Sequence, residues 1–193
     1  MFNADVDIDL PTSFKAEKLF PTFIKASMVK GEQLMPHSCG YYAQDIPQDI
    51  VTGLAAIPYQ QAEELGYLKI DFLHLHVYNY FESREEIDLL LELEPDWGLL
   101  TVPSEQAKLF QLSKHGDILS AVKPKSIEEL ADVLALIRPG KKQLLKLYQA
   151  QRESTRRILY AKDETGYSFK KSHAICYAMV IVLQLHLIST GIL

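Results

Sequence analysis

Residues 4–11 read ADVDIDLP, with carboxylates at Asp5, Asp7 and Asp9, every second position. Val6 and Ile8 are β-branched and Pro11 closes the run, which predicts a short strand. Side chains alternate faces along a strand, so all three acids share one face. Like charges about 7 Å apart on one face repel. Water at an exposed edge offsets that repulsion, and a divalent cation offsets it better.

Asp71, in YLKIDFLHL, is the second acid placed inside strand-like sequence. Lys69 and Asp71 fall on one face, and Leu68, Ile70 and Phe72 on the other. Two readings follow. One is an ordinary Lys69–Asp71 ion pair on a partly exposed face. The other joins Asp71 to Asp7 and Asp9, so that two neighbouring strands aim three carboxylates at one point. Such a cluster suits two cations roughly 3.5–4 Å apart and in-line phosphoryl transfer. One cation activates the attacking hydroxyl, and both stabilise charge on phosphorus.

Cations form the next group. Arg138 stands where a helical pattern meets Pro139-Gly140, and Lys141, Lys142, Lys146, Arg152, Arg156 and Arg157 follow. The run, with Lys141, Lys142 and Lys146 at its centre, reads either as a solvated basic face or as a phosphate-binding surface in an otherwise acidic protein. Lys171, Ser172 and His173 precede an apolar helix, whose start favours anions. His74 and His76 alternate and read as metal ligands or as ordinary surface. His37, Ser38 and Cys39 suggest a nucleophile cluster, but no oxyanion or orienting group is readable beside them. Neither G-x-x-x-x-G-K-[ST] nor G-x-G-x-x-G occurs.

The elements that carry these groups come from 193 residues, 48% of them hydrophobic, with a net charge of −5. That length suggests one domain with room for a helical appendage. The charge disfavours a strongly basic nucleic-acid binder, although patches matter more than totals. Cys39 and Cys176 are far apart and form no zinc motif or disulfide framework, which fits a reducing cytoplasm. The acidic N-terminus does not resemble a secretion signal. Residues 174–193 are long enough to span a bilayer. Gln184 and His186 interrupt them and basic flanks are lacking, so a buried helix and no membrane partner are expected.

Along the chain, residues 13–34 read as short helical pieces broken by Pro21 and closed near Gly31. PHSCGYYAQ reads as a turn into a strand. QQAEELG is a short helix with a turn at Gly66, and a strand follows over Tyr67–Phe72. Ser83 and Ser104 are expected helix caps, and Ser126 with Glu129 a capping box. A basic helix is expected after Pro139-Gly140. The predicted class is α+β, mostly helical, with a small sheet.

Taken in order, these segments resemble the C-family bacterial replicative DNA polymerases, the catalytic alpha subunit of DNA polymerase III. DVDIDLP is similar to that family's paired aspartates, PHSCGYYAQ to its His-Ala-Gly-Gly segment, and YLKIDFLHL to the strand of its third aspartate. LFQLSKHGDILSAVKPKSIEELADVLALIRPGK resembles its fingers segment, and GYSFKKSHAICYA a later helix start.

The resemblance implies a small polymerase-palm, nucleotidyltransferase-like sheet with a mostly helical fingers remnant. A palm-like core with a vestigial thumb is expected over 1–100, and a fingers-like region over 101–193. It also implies transfer of a nucleotidyl group from a dNTP to a primer 3′-hydroxyl with two Mg²⁺ (or Mn²⁺). Asp7 and Asp9 would bridge both metals and Asp71 would hold the one at the hydroxyl. Lys69, Arg138, Lys171 and His173 would meet phosphates.

Expected partners are primer–template DNA, dNTP and replication proteins that supply missing elements. The family's Gly-Ser element has no room before Asp7, its thumb is reduced to a stub, and much of its fingers is missing between Arg138 and Lys171. Lys170 replaces an Asn. Such compaction suggests a viral or mobile-element genome and a host cytoplasm. The alternative is a non-catalytic polymerase-derived protein that binds DNA or replication proteins. An α+β domain with a merely structural acidic strand is the third reading.

Overall fold

A computed structural model describes residues 6–161 and 169–193. Asp5 lies outside the described residues, as do Gly166, Tyr167 and Ser168. The chain forms two compact units, Met1–Glu82 and Ser83–Leu193. The division falls between Glu82 and Ser83.

The first unit is a five-stranded mixed sheet in the order β1-β5-β3-β2-β4. Its strands are β1 (Val6–Leu10), β2 (Ile24–Lys30), β3 (Gln33–Tyr42), β4 (Leu54–Pro58) and β5 (Ile70–His74). β1 runs parallel to β5, β3 antiparallel to both β5 and β2, and β2 parallel to β4.

The expected helices over 13–34 shrink to one turn, α1 (Ala16–Leu19), and the stretch after Pro21 is extended. Tertiary pairing overrides the local pattern there. Ala26 is buried against Tyr42, Ile46, Ala55 and Ala62, and the Ser27 hydroxyl donates to Ala55 O at 2.7 Å. Gly31, the expected helix stop, instead opens the two-residue turn of the β2–β3 hairpin at φ +66°. PHSCGYYAQ is not a turn before a strand. Its first seven residues lie within β3.

One face of the sheet is aromatic. Phe72 is 3% exposed, with the rings of Phe14, Phe20, Phe23 and Tyr41 5.5–6.5 Å from it. That cover orients β5 and leaves the alternate positions, Asp71 and Leu73, on the opposite face. The short helix α2 (Tyr59–Glu64) and the left-handed Gly66 at φ +88° stand where expected.

The second unit is helical: α3 (Arg84–Glu92), α4 (Pro103–Gln106), α5 (Gly116–Val122), α6 (Ile127–Leu136), α7 (Leu145–Ala150), α8 (Arg152–Leu159) and α9 (Lys171–Ser189). Ser83 caps α3 by accepting from Glu86 N, and Ser126 caps α6 by accepting from Glu129 N. Glu129 reaches back one residue further than a capping box requires, to Lys125 N at 2.9 Å. Ser104 is no cap. α4 starts at Pro103, and the Ser104 hydroxyl donates to Glu105. The basic segment after Pro139-Gly140 forms two short helices that part at Gln151.

α6 and α9 form the middle of this core. Leu130, Val133 and Leu134 are buried in one cluster with Ala174, Ala178, Ile181 and Leu185. α9 is long and apolar enough to cross a membrane, and half of that stretch is buried inside the fold.

Asp132 ties α6 to the helices after it. It is 0% exposed. Its carboxylate accepts from Tyr148 Oη at 2.6 Å, Arg156 Nε at 2.7 Å and Tyr160 Oη at 3.0 Å. Burial and this charge push both tyrosines above their ordinary range, so they stay protonated as donors. Asp132→Ala strands the partly buried Arg156 cation and two phenols. It should cost about 3–5 kcal/mol in urea unfolding, whereas Tyr148→Phe should cost about 1–2 kcal/mol.

Candidate functional site

The β1–β5 register decides the geometry. Asp7 is paired with Asp71, and Asp9 with Leu73. Partners in a parallel ladder point to the same face, so Asp7 and Asp71 are neighbours on strands about 4.8 Å apart, with Asp9 next along β1. Both acids of β1 are half-buried, and the Tyr78 hydroxyl lies 3.5 Å from Asp9 Oδ2. Lys69 Nζ forms an ion pair with Asp71 Oδ2, and these side chains are only 14% and 16% exposed. Asp71 thus holds the Lys69 ion pair on the same sheet face as Asp7 and Asp9.

A second group converges on Asp71 from β3. Its Oδ1 lies 3.8 Å from His37 Nδ1 and is buried with no hydrogen-bond partner. His37 Nδ1 accepts the Gly40 amide at 2.9 Å, which places the ring proton on Nε2, and the ring packs edge-on to Tyr59 at 5.0 Å. Burial, aided by Lys69, holds His37 below its usual range, so the imidazole is neutral. Burial pushes the Cys39 thiol up, against a hydrogen bond from Ser38, so it is not an activated nucleophile. Tyr42 is pushed up to about 12, by burial first and by the Asp71 charge second.

Gly40 pairs with Asp71 across β3 and β5. A Cβ on Gly40 would stand 2.8 Å from His37 Nδ1, 2.9 Å from Asp71 Oδ1 and 2.9 Å from Lys69 Cδ. The missing side chain is what lets these three groups meet. Among the described residues, His37, Cys39 and Asp71 form a trio whose candidate ligand atoms all lie within 4.8 Å of one another. Sequence reasoning kept His37 and Cys39 apart from Asp71. The one available signal was a glycine inside an otherwise strand-forming run. His74 and His76 take separate partners: His74 Nε2 lies 3.0 Å from Phe14 O, and His76 packs on Tyr80.

The remaining predicted residues belong to the second unit. The Arg138 guanidinium lies over the Phe169 ring at 4.0 Å and donates to Gln111 Oε1, while its Nε is buried without a partner. Lys141 Nζ donates to Ile158 O and Ala161 O, the carbonyls at the end of α8. Lys142 pairs with Asp117 at 2.7 Å and Lys171 with Glu128 at 2.9 Å. Lys146 is exposed. His173, two residues beyond Lys171 on the first turn of α9, faces the Tyr177 ring at 6.5 Å. Much of the basic run is thus engaged within the fold.

Residues 50–191 match the family described as the bacterial DNA polymerase III alpha subunit finger domain. The chain belongs to that family. Asp71 and Arg138 lie inside the matched stretch, and Asp7, Asp9 and His37 precede it. The DNA polymerase III subunit alpha of Borreliella burgdorferi is 23% identical over 196 residues, covering 88% of this chain and 17% of that protein. The Aquifex aeolicus subunit alpha is 29% identical over 152 residues, covering 68% and 13%. A Staphylococcus aureus subunit alpha is 23% identical over 143 residues, covering 65% and 13%. The polymerase-related chain therefore spans no more than 17% of the length of these relatives.

The space above Gly40 yields a direct test. Gly40→Ala must push His37, Lys69 and Asp71 apart, and it should destabilise the protein by about 1–3 kcal/mol in urea unfolding. Gly31→Ala has open space around its Cβ, and its cost should come from the left-handed backbone alone.

Proposed function

We infer that the chain is a reduced template-directed DNA polymerase, which transfers a nucleotidyl group from a dNTP to a primer 3′-hydroxyl. The observation that carries this reading is the β1–β5 register, which sets Asp7 beside Asp71 and Asp9 along the same face. The donor set suits a hard divalent cation, since it consists of carboxylates on one face of a sheet edge. Asp7, Asp9 and Asp71 would hold Mg²⁺ or Mn²⁺, which when bound activates the hydroxyl and stabilises charge on phosphorus.

Lys69 serves the same face from within the protein. Its charge offsets part of the repulsion between the acids before any cation or triphosphate arrives. Arg138 would meet phosphate oxygens. Primer–template DNA, dNTP and further replication proteins are the partners this reading requires.

A second reading is a polymerase-derived protein that binds DNA or replication proteins without catalysis. The family match favours it to this extent: it begins at residue 50, beyond both acids of β1.

Primer extension on a DNA template with Mg²⁺ or Mn²⁺ separates the two. The wild-type protein should extend, adding few nucleotides per encounter. Asp9→Asn should lower extension by at least on the order of a hundredfold without loss of folding, because Asp9 lies on a partly exposed edge strand. No extension by the wild type with either metal, alone or with partner chains, leaves the binding protein. Extension that survives Asp9→Asn assigns the activity to another site.

DNA affinity should fall steeply with salt. Lys146→Ala should weaken binding regardless of sequence and flatten the salt slope by about 1, with the melting temperature unchanged. Lys141→Ala should instead lower the melting temperature, because it removes a cap from α8.

A further inference from the structure

We propose that His37 Nδ1, Cys39 Sγ and Asp71 Oδ1 form a binding site for a thiophilic divalent cation of the zinc type, which shares only Asp71 with the carboxylates of the proposed Mg²⁺ site. The three atoms come from one bulging stretch of β3 and from its neighbour β5, and all lie within 4.8 Å of one another. Nδ1 stands 3.9 Å from Sγ and 3.8 Å from Oδ1. Zinc bonds of about 2.0–2.3 Å in a tetrahedral arrangement put ligand atoms about 3.3–3.6 Å apart, so the two distances from Nδ1 need to shorten by only a few tenths of an ångström.

Three further features point the same way. Asp71 Oδ1 is a buried acceptor with no hydrogen-bond donor, an arrangement that is costly unless something fills it. His37 presents a lone pair at Nδ1, now occupied by the Gly40 amide, and an ion would take that place. Gly40 has no side chain to block the approach.

The mixed nitrogen, sulfur and oxygen donor set selects a borderline cation over Mg²⁺, which seeks six oxygens. Three protein ligands leave a fourth position open to water. On binding, the Cys39 S–H bond breaks, a sulfur–metal bond forms, and the proton leaves to solvent. No electron is transferred. Lys69 stays on Asp71 Oδ2, so the carboxylate bridges the lysine and the ion.

This inference goes beyond the polymerase reading, and its test needs no nucleotide transfer. The reduced full chain is titrated with Co²⁺ alone. A near-ultraviolet thiolate-to-cobalt charge-transfer band and intense tetrahedral d–d bands are expected, bleached by added Zn²⁺ and unaffected by excess Mg²⁺. Cys39→Ser should lose the charge-transfer band, whereas Cys176→Ser, at the only other cysteine, should keep it.

Zn²⁺ should raise the melting temperature of the wild type and not that of Cys39→Ser. His37→Gln keeps an acceptor for the Gly40 amide and should also lose the bands, which covers the case in which Cys39→Ser fails to fold. Absence of the charge-transfer band, its persistence in Cys39→Ser, or its loss to Mg²⁺ overturns the proposal.

Discussion

Two carboxylates held side by side on adjacent strands set the terms for the first unit. Like charges directly opposite each other on neighbouring strands repel. Asp7 and Asp71 are register partners, so that penalty is built into the sheet. Lys69 meets it from the same strand and the same face as Asp71. Gly40 leaves room for the lysine stem and for His37 beside it. The opposite face supplies the orientation: Phe72 is buried among the rings of Phe14, Phe20, Phe23 and Tyr41, and the period of two along β5 then sends Asp71 the other way. Aromatic packing on one side thus positions the polar chemistry on the other.

The helical unit solves a related problem inside its core. Asp132 is fully buried, and it is tolerated because Tyr148, Arg156 and Tyr160 supply three donors from the segments after α6. This converts a run of basic and aromatic residues into a clamp. Arg152 likewise pairs with Glu129, Lys142 with Asp117 and Lys171 with Glu128. A basic run in the sequence therefore becomes a set of intramolecular ion pairs with few cations left over. The match to the polymerase III alpha finger family, residues 50–191, takes in β4 and β5 as well as this unit, and the whole chain spans no more than 17% of the length of those relatives.

The sequence by itself determined what periodicity and capping control. Strand β1 follows from β-branched residues alternating with acids, and Ser83 and Ser126 cap the helices they precede. The apolar run from Ala174 folds as a helix with half of it buried, because Gln184 and His186 are too few to give it a polar face. Local chemistry suffices in these places, since each depends on residues within one turn or one strand.

Tertiary structure decided the rest. Ile24–Lys30 looked helical, yet Ala26 and Ser27 are fixed as strand by partners on β3 and β4. Asp7 and Asp71 are 64 positions apart, and only the register of β1 on β5 makes them neighbours. His37 and Cys39 could be read as a local nucleophile pair, but the bulge of β3 over Gly40 turns them toward Asp71. Strand pairing is a long-range choice, and a shift of one residue would send every one of these side chains to the opposite face. No local pattern encodes that choice.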